Sequence, residues 1–216
     1  MNILFNLYLS VRRNEYLSFF VIWMRYLIGF AFVPSGLTKL MGNRFTTIPI
    51  SNPIGFFFEA MFQTGIYWQF LGFTQIIAAL LLMTQRFATL GNLIFLGIIT
   101  NIFLITFSMD FAGTVYITFL LLVASIGLLL WDFPKWKTLF FSDNFTVNIE
   151  LENLPTYNTW WIYTGLIFFI ESLLFSILSS VFEDVKTVMA LLVLIVVTAI
   201  VSLVLYKKYG SAVRRD

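Results

Sequence analysis

Two cations on one helical face are the first chemistry this chain offers. Arg25, Gly29, Phe32, Gly36 and Lys39 follow one another in steps of four, three, four and three, so a helix puts all five on one side. Arg25 and Lys39 are 14 residues apart, about 21 Å at 1.5 Å per residue, and so mark the two ends of a membrane-crossing face. Each can snorkel to its own boundary, or face a polar cavity and hold an anion, a quinone oxygen or a carboxylate. Lys39 is the stronger candidate, with Ser35 and Gly36 one turn before it. Gly29 and Gly36 allow a neighbouring backbone to approach closely. Pro34 should bend or open the helix, and Ser35 could then satisfy a freed carbonyl.

Glu171 is the sharpest anomaly, a carboxyl in the middle of Leu166-Ile167-Phe168-Phe169-Ile170-Glu171-Ser172. Hydrocarbon makes an unpaired carboxylate costly, so it must face protein or water, find a cation, or hold a proton. A proton relay, a cation-coupling site, a structural pair with Arg25 and a protonated packing residue all satisfy that requirement. Small and polar residues form further faces. Trp68, Gly72, Gln75 and Ala79 align on one segment, Gly97, Asn101 and Ser108 on the next, and Thr114, Thr118, Ser125 and Asp132 on a third. A fourth segment carries Gly165, Ser172, Ser176 and Ser179. These stripes could line a narrow polar path or make ordinary interhelical hydrogen bonds.

What is missing narrows the chemistry. The sequence has neither cysteine nor histidine. Disulfides, thiolate nucleophiles, the usual haem ligand, the commonest zinc ligand and the usual near-neutral base all go with them. No phosphate-binding loop, paired catalytic carboxylates or metal-ligand cluster stands out. No metal, intrinsic cofactor or nucleic acid is expected.

The elements that must position these residues follow from composition. Of 216 residues, 60% are hydrophobic and 11% charged, against about a quarter charged in soluble domains. The apolar residues arrive in six blocks, near 17–40, 67–82, 88–107, 115–130, 160–181 and 188–206. A helix crosses the hydrocarbon in about 20 residues, so the expected fold is all-α, a polytopic transmembrane bundle. Arg12 and Arg13 follow the first short stretch instead of preceding it, so no cleavable signal is expected.

Nine basic residues fall on one side of these spans: Arg12, Arg13, Arg86, Lys135, Lys137, Lys207, Lys208, Arg214 and Arg215. Arg44 and Lys186 fall on the other. The positive-inside rule then puts both termini in the cytoplasm, which an even number of spans requires. Tyr67, Trp68, Trp131, Trp160 and Trp161 sit where interfacial anchors belong. The outer loop 41–64 should carry a short interfacial or re-entrant helix from Pro53 to about Phe62, since proline suits a first helical position. Residues 132–159 form a cytoplasmic linker, 160–206 a two-span extension and 207–216 a basic tail. Asn144-Phe145-Thr146 matches a glycosylation spacing, but its cytoplasmic side argues against use.

From Arg25 to Leu40, and again through Gly65-Ile66-Tyr67-Trp68-Gln69-Phe70-Leu71-Gly72-Phe73-Thr74-Gln75, Leu81-Leu82, Arg86 and Gly91, the chain resembles DoxX-like membrane proteins. The resemblance covers roughly 17–131 and implies a four-helix membrane core. Some members are linked to quinone-dependent sulfur oxidation. Carried over to this chain, it implies a quinone-facing site with Lys39 and Gln75 as the positional candidates, Ser35 beside them and Arg25 in support. The last two spans depart from that pattern, so Glu171 is not a family residue. The expectation is a bacterial inner-membrane accessory or quinone-interacting subunit, among membrane lipids and a redox partner or further copies of itself. A small-solute or proton-coupled transporter centred on Glu171, with Asn101 as another intramembrane polar residue, is the alternative, and a scaffold for other membrane proteins is a third.

Overall fold

The computed structural model describes residues 8, 10–12, 14–136, 158–181 and 185–209. Most of the expected linker, with Asn144, and the chain beyond 209 lie outside them. Among the described residues all regular structure is helical: α1 (Glu15–Leu40), α2 (Pro53–Gln63), α3 (Ile66–Met83), α4 (Ala88–Ser108), α5 (Thr114–Trp131), α6 (Phe133–Trp136), α7 (Thr159–Val181) and α8 (Val185–Tyr209). All but α2 and α6 are long and apolar enough to cross a membrane, and they match the six expected blocks. The chain is a multi-pass membrane protein.

Its surface makes the same point physically. Phe70, Phe107, Leu120, Leu130 and most of α8 turn outward, while Arg25, Lys39, Gln75, Asn92 and Ser125 are buried. A soluble fold could not expose so continuous an apolar surface. Hydrocarbon can cover it.

Asn14 starts α1: its side-chain oxygen accepts from the N–H groups of Tyr16 and Leu17 at 2.9 and 3.3 Å. Glu15 adds a negative charge at the positive end of the helix dipole. The helix runs 26 residues, about 39 Å, longer than the ~30 Å hydrocarbon core. Pro34 lies within it without ending it.

The core is built on the α1–α3 contact, and glycine sets its distance. A Cβ on Gly72 would lie 2.4 Å from the Leu40 nitrogen and 2.5 Å from the Gly36 carbonyl oxygen. A Cβ on Gly29 would lie 2.4 Å from Met83 Cγ. The close approach expected of Gly29 and Gly36 is therefore present, and α3 is the partner. Helices α4 and α5 complete a four-helix group, α4 on α3 and α5 on α4. On the other side α7 packs against α1 and α3, and α8 packs on α7. Gly165 of α7 meets the Met83 backbone so closely that no side chain fits there. The two last spans are thus joined to the rest through α7.

Several aromatic residues expected at the interface are instead structural. Tyr67 is exposed, but Trp68, Trp131 and Trp161 are buried. Trp161 packs between Phe19 and Tyr206, with ring centroids at 5.7 and 4.7 Å. A neighbouring helix competes with the headgroup layer for a helix-end ring, and here packing wins.

Candidate functional site

Helix α2 forms where proline and its preceding residue dictate. Asn52 Oδ1 accepts from the Ile54 N–H at 2.9 Å, and Pro53 takes the first helical position. Arg44 and Glu59 pair at 2.8 Å, and Gln63 donates to Glu59 at 2.7 Å, fastening the preceding loop to α2. The guanidinium holds the Glu59 carboxyl below its ordinary range, with Gln63 adding to the effect. Tied down in this way, α2 roofs one end of the four-helix group.

Beneath it lies a cavity of about 270 Å³, near the lower end of the ~300–1,000 Å³ typical of small-molecule sites. Phe57, Phe58 and Met61 of α2 contribute to its wall, as do apolar side chains of α1, α3, α4 and α5. Polar groups are few and stand in two places. On the α1 side are Ser35 and Lys39; on the α4–α5 side, Thr106, Thr114 and Thr118.

Lys39 is buried, with 5% of its side chain exposed. Its ammonium donates to the Ser35 carbonyl at 3.0 Å and to Ser35 Oγ at 2.7 Å. The Phe45 and Trp68 rings face it, their centroids 4.3 and 5.3 Å away. Trp68 is fixed by its own indole N–H, which donates to the Asn43 carbonyl at 2.9 Å. No carboxylate of the described residues is within ion-pair distance of Lys39. Aromatic faces and two oxygens partly replace the hydration this cation gives up. A ligand oxygen in the cavity would complete its coordination. Ser35, expected to relieve a carbonyl near Pro34, serves instead as an acceptor for Lys39. Thr106 and Thr118 share a hydrogen bond at 2.9 Å.

The other expected site residues go elsewhere. Arg25 does not support Lys39. It lies at the opposite end of α1 and donates to Asp132 and Gln85, both at 2.8 Å. Gln75 is fully buried one turn past Gly72, packed on Gly36, and is not part of the cavity wall. Neither of its amide atoms has a hydrogen-bond partner. Asn101 turns outward and donates to the Gly97 carbonyl of its own helix at 2.8 Å, so its stripe lines no interior path. Glu171 does not pair with Arg25; its partner is the Thr198 hydroxyl of α8. Ser35 and Lys39 alone, of the expected ligand set, meet at the cavity.

Sequence reasoning missed the cluster that claims Arg25. Asp132 follows α5 and accepts from Arg25 at 2.8 Å, from Thr89 at 3.1 Å and pairs with Lys135 at 3.5 Å. Burial alone would raise its pKa, but the charges of Arg25 and Lys135, the Thr89 hydroxyl and the nearby Arg12 outweigh it and hold the carboxyl below its ordinary range. Gln85 reaches Arg25 from a left-handed turn residue, φ 59°. Asn92 and Ser125 form another missed pair, with the amide donating to the Ser125 carbonyl and the hydroxyl to Asn92 Oδ1, both at 2.9 Å. The alignment of Thr118, Ser125 and Asp132 on one face was the available signal for both.

No family model matches the chain, and no solved structure matches it. A relative in Bacillus subtilis (strain 168), described as the uncharacterized protein YwoB, is 34% identical over 122 residues. The match spans 54% of this chain and 79% of that protein.

Proposed function

We propose that this chain, which belongs to the same family as that Bacillus subtilis protein, is a bacterial cytoplasmic-membrane (inner-membrane) subunit that binds the head of a quinone-class, lipid-soluble carrier beneath α2. One observation carries the reading: a buried ammonium, with no carboxylate of the described residues beside it, stands in the wall of a largely apolar cavity. The geometry suits a ring bearing carbonyl oxygens. Lys39 would donate to one carbonyl and strengthen that bond as the oxygen gains negative charge on reduction. The Thr106 and Thr118 hydroxyls stand on the other side for a second oxygen. Apolar walls would exclude water and accept the ring.

The resemblance of residues 25–40 and 65–75 to DoxX-like proteins supports the same class of ligand. With no histidine or cysteine, the chain would depend on a membrane partner for the electrons. Both termini would face the cytoplasm, as the basic residues suggest. Purification in native lipid, followed by mass spectrometry of the bound small molecules, tests the reading. A stoichiometric quinone is the expected result; a quinone-free protein with no redox partner would defeat it.

A further inference from the structure

The second buried carboxyl belongs to neither site above. Glu171 lies in α7, has 8% exposure, and accepts a hydrogen bond from Thr198 through Oε1. Its Oε2 is buried without a hydrogen-bond partner. Among the described residues, the elements packed on α7 bring no cation to it. From α1, Tyr26 donates to the Trp161 carbonyl at 2.6 Å, and Arg25 is engaged by Asp132 and Gln85. From α3, Met83 presents its backbone to Gly165. From α8, Thr198 is the contact, while Lys207 and Lys208 stand in the last turn, nine and ten residues further on.

Between α7 and α8 a groove of about 360 Å³ runs from Trp160 past Thr164 and Ser202 to Thr198. Thr164 and Ser202 are both buried, and their hydroxyls are 2.8 Å apart. The Trp160 indole N–H donates to Ser202 at 3.3 Å. Thr198 is one turn from Ser202 on α8, and Glu171 is two turns from Thr164 on α7. The groove's hydroxyls therefore lead from the Trp160 end of the bundle toward the carboxyl at its middle. A packing residue could be satisfied by any neutral group. An open acceptor reached by hydroxyls from one side suits a group that takes up and gives up an ion.

We propose that Glu171 is a proton-binding site, filled from the Trp160 end of the bundle along the hydroxyls of the α7–α8 groove. The step is a simple protonation: a proton leaves hydronium at the aqueous end, joins Oε2 and leaves water behind, and the Thr198 bond to Oε1 is kept. The neutral carboxyl is the form hydrocarbon tolerates without a partner cation. This site is independent of the cavity beneath α2.

The test is infrared spectroscopy of the full-length protein in lipid bilayers at neutral pH. A protonated-carboxyl band is expected in the wild type and absent from Glu171→Gln. On transfer to heavy water the band should shift as the proton exchanges. Ser202→Leu, which fills the groove, should slow that exchange at least tenfold, and the near-isosteric Thr164→Val should slow it several-fold. No band assignable to Glu171 would overturn the proposal. Exchange at the wild-type rate in both groove variants would overturn the route and the site with it. Loss of the band on adding Na⁺ at fixed pH would replace proton binding by metal-cation binding, and so would also contradict it.

Discussion

Arg25 and Lys39 share a helix face but not a fate, and the difference lies in their neighbours. Arg25 is buried beside a carboxylate; Lys39 is buried beside aromatic rings and a serine. Removing the Asp132 charge would leave Arg25 buried and unpaired, which costs about 3–5 kcal/mol in comparable sites. Asp132→Asn should therefore sharply lower the unfolding midpoint in detergent, and joint replacement of Arg25 and Asp132 by apolar residues should recover much of the loss. The pH dependence has a definite sign. Asp132 has a depressed pKa in the folded chain, so its contribution is complete above the ordinary value of about 3.9 and fades as pH falls through the lower folded value. Asp132→Asn should lose this acid-sensitive component, measured as a smaller fall in stability below about pH 4. The Lys39–Ser35 contact was legible in the sequence, because four residues make one turn. The Arg25–Asp132 pair was not, because its members lie 107 positions apart and only folding brings them together.

At the scale of elements, hydrophobic length fixed the spans, and small residues fixed which of them could touch. Boundaries and number of spans were readable because a membrane imposes a local length requirement on each helix. The stripe of Trp68, Gly72, Gln75 and Ala79 is buried as a unit, as its spacing implied. The stripe containing Asn101 faces outward, because Thr106, Ile99, Phe95 and Asn92 form the buried side of α4. Its polar residues satisfy the same helical period and cannot by themselves declare which side is inside. The α1–α3 seam yields the clearest element-scale prediction. A side chain at Gly72 collides with backbone atoms, which cannot swing aside as a side-chain tip can. Gly72→Leu should destabilise the bundle by about 1–3 kcal/mol or more and disturb the neighbouring Lys39 wall, whereas leucine at the outward-facing Gly97 should have little effect. Parallel thermal unfolding of the two variants checks this.

For the whole molecule, an apolar exterior surrounds two separate polar sites and an ionic cluster at the end opposite α2. Phe19 contacts Tyr206, ring centroids 5.4 Å apart, so the beginning of α1 and the end of α8 share one end of the bundle. The absence of native cysteine makes the proposed orientation easy to test. A single cysteine at Thr46 should react with an impermeant thiol reagent added outside cells, whereas one at Ser211 should react only after the membrane is opened; the reverse pattern would invert the topology. The ligand site was only half legible for a related reason. Its cation lies in the first span, but its roof and far wall come from α2, α4 and α5, and a sequence does not say which distant segments enclose one space. The central claim is most directly tested by titrating a short-chain quinone into bilayer-reconstituted protein while following quenching of Trp68, with Trp68→Phe subtracting the other tryptophans. Saturable quenching should weaken about tenfold or more in Lys39→Met, the loss expected for one charged hydrogen bond of about 1.5–3 kcal/mol, in a protein that stays folded. Equal affinity in the two proteins, or quenching of Trp68 that never saturates, would contradict the account.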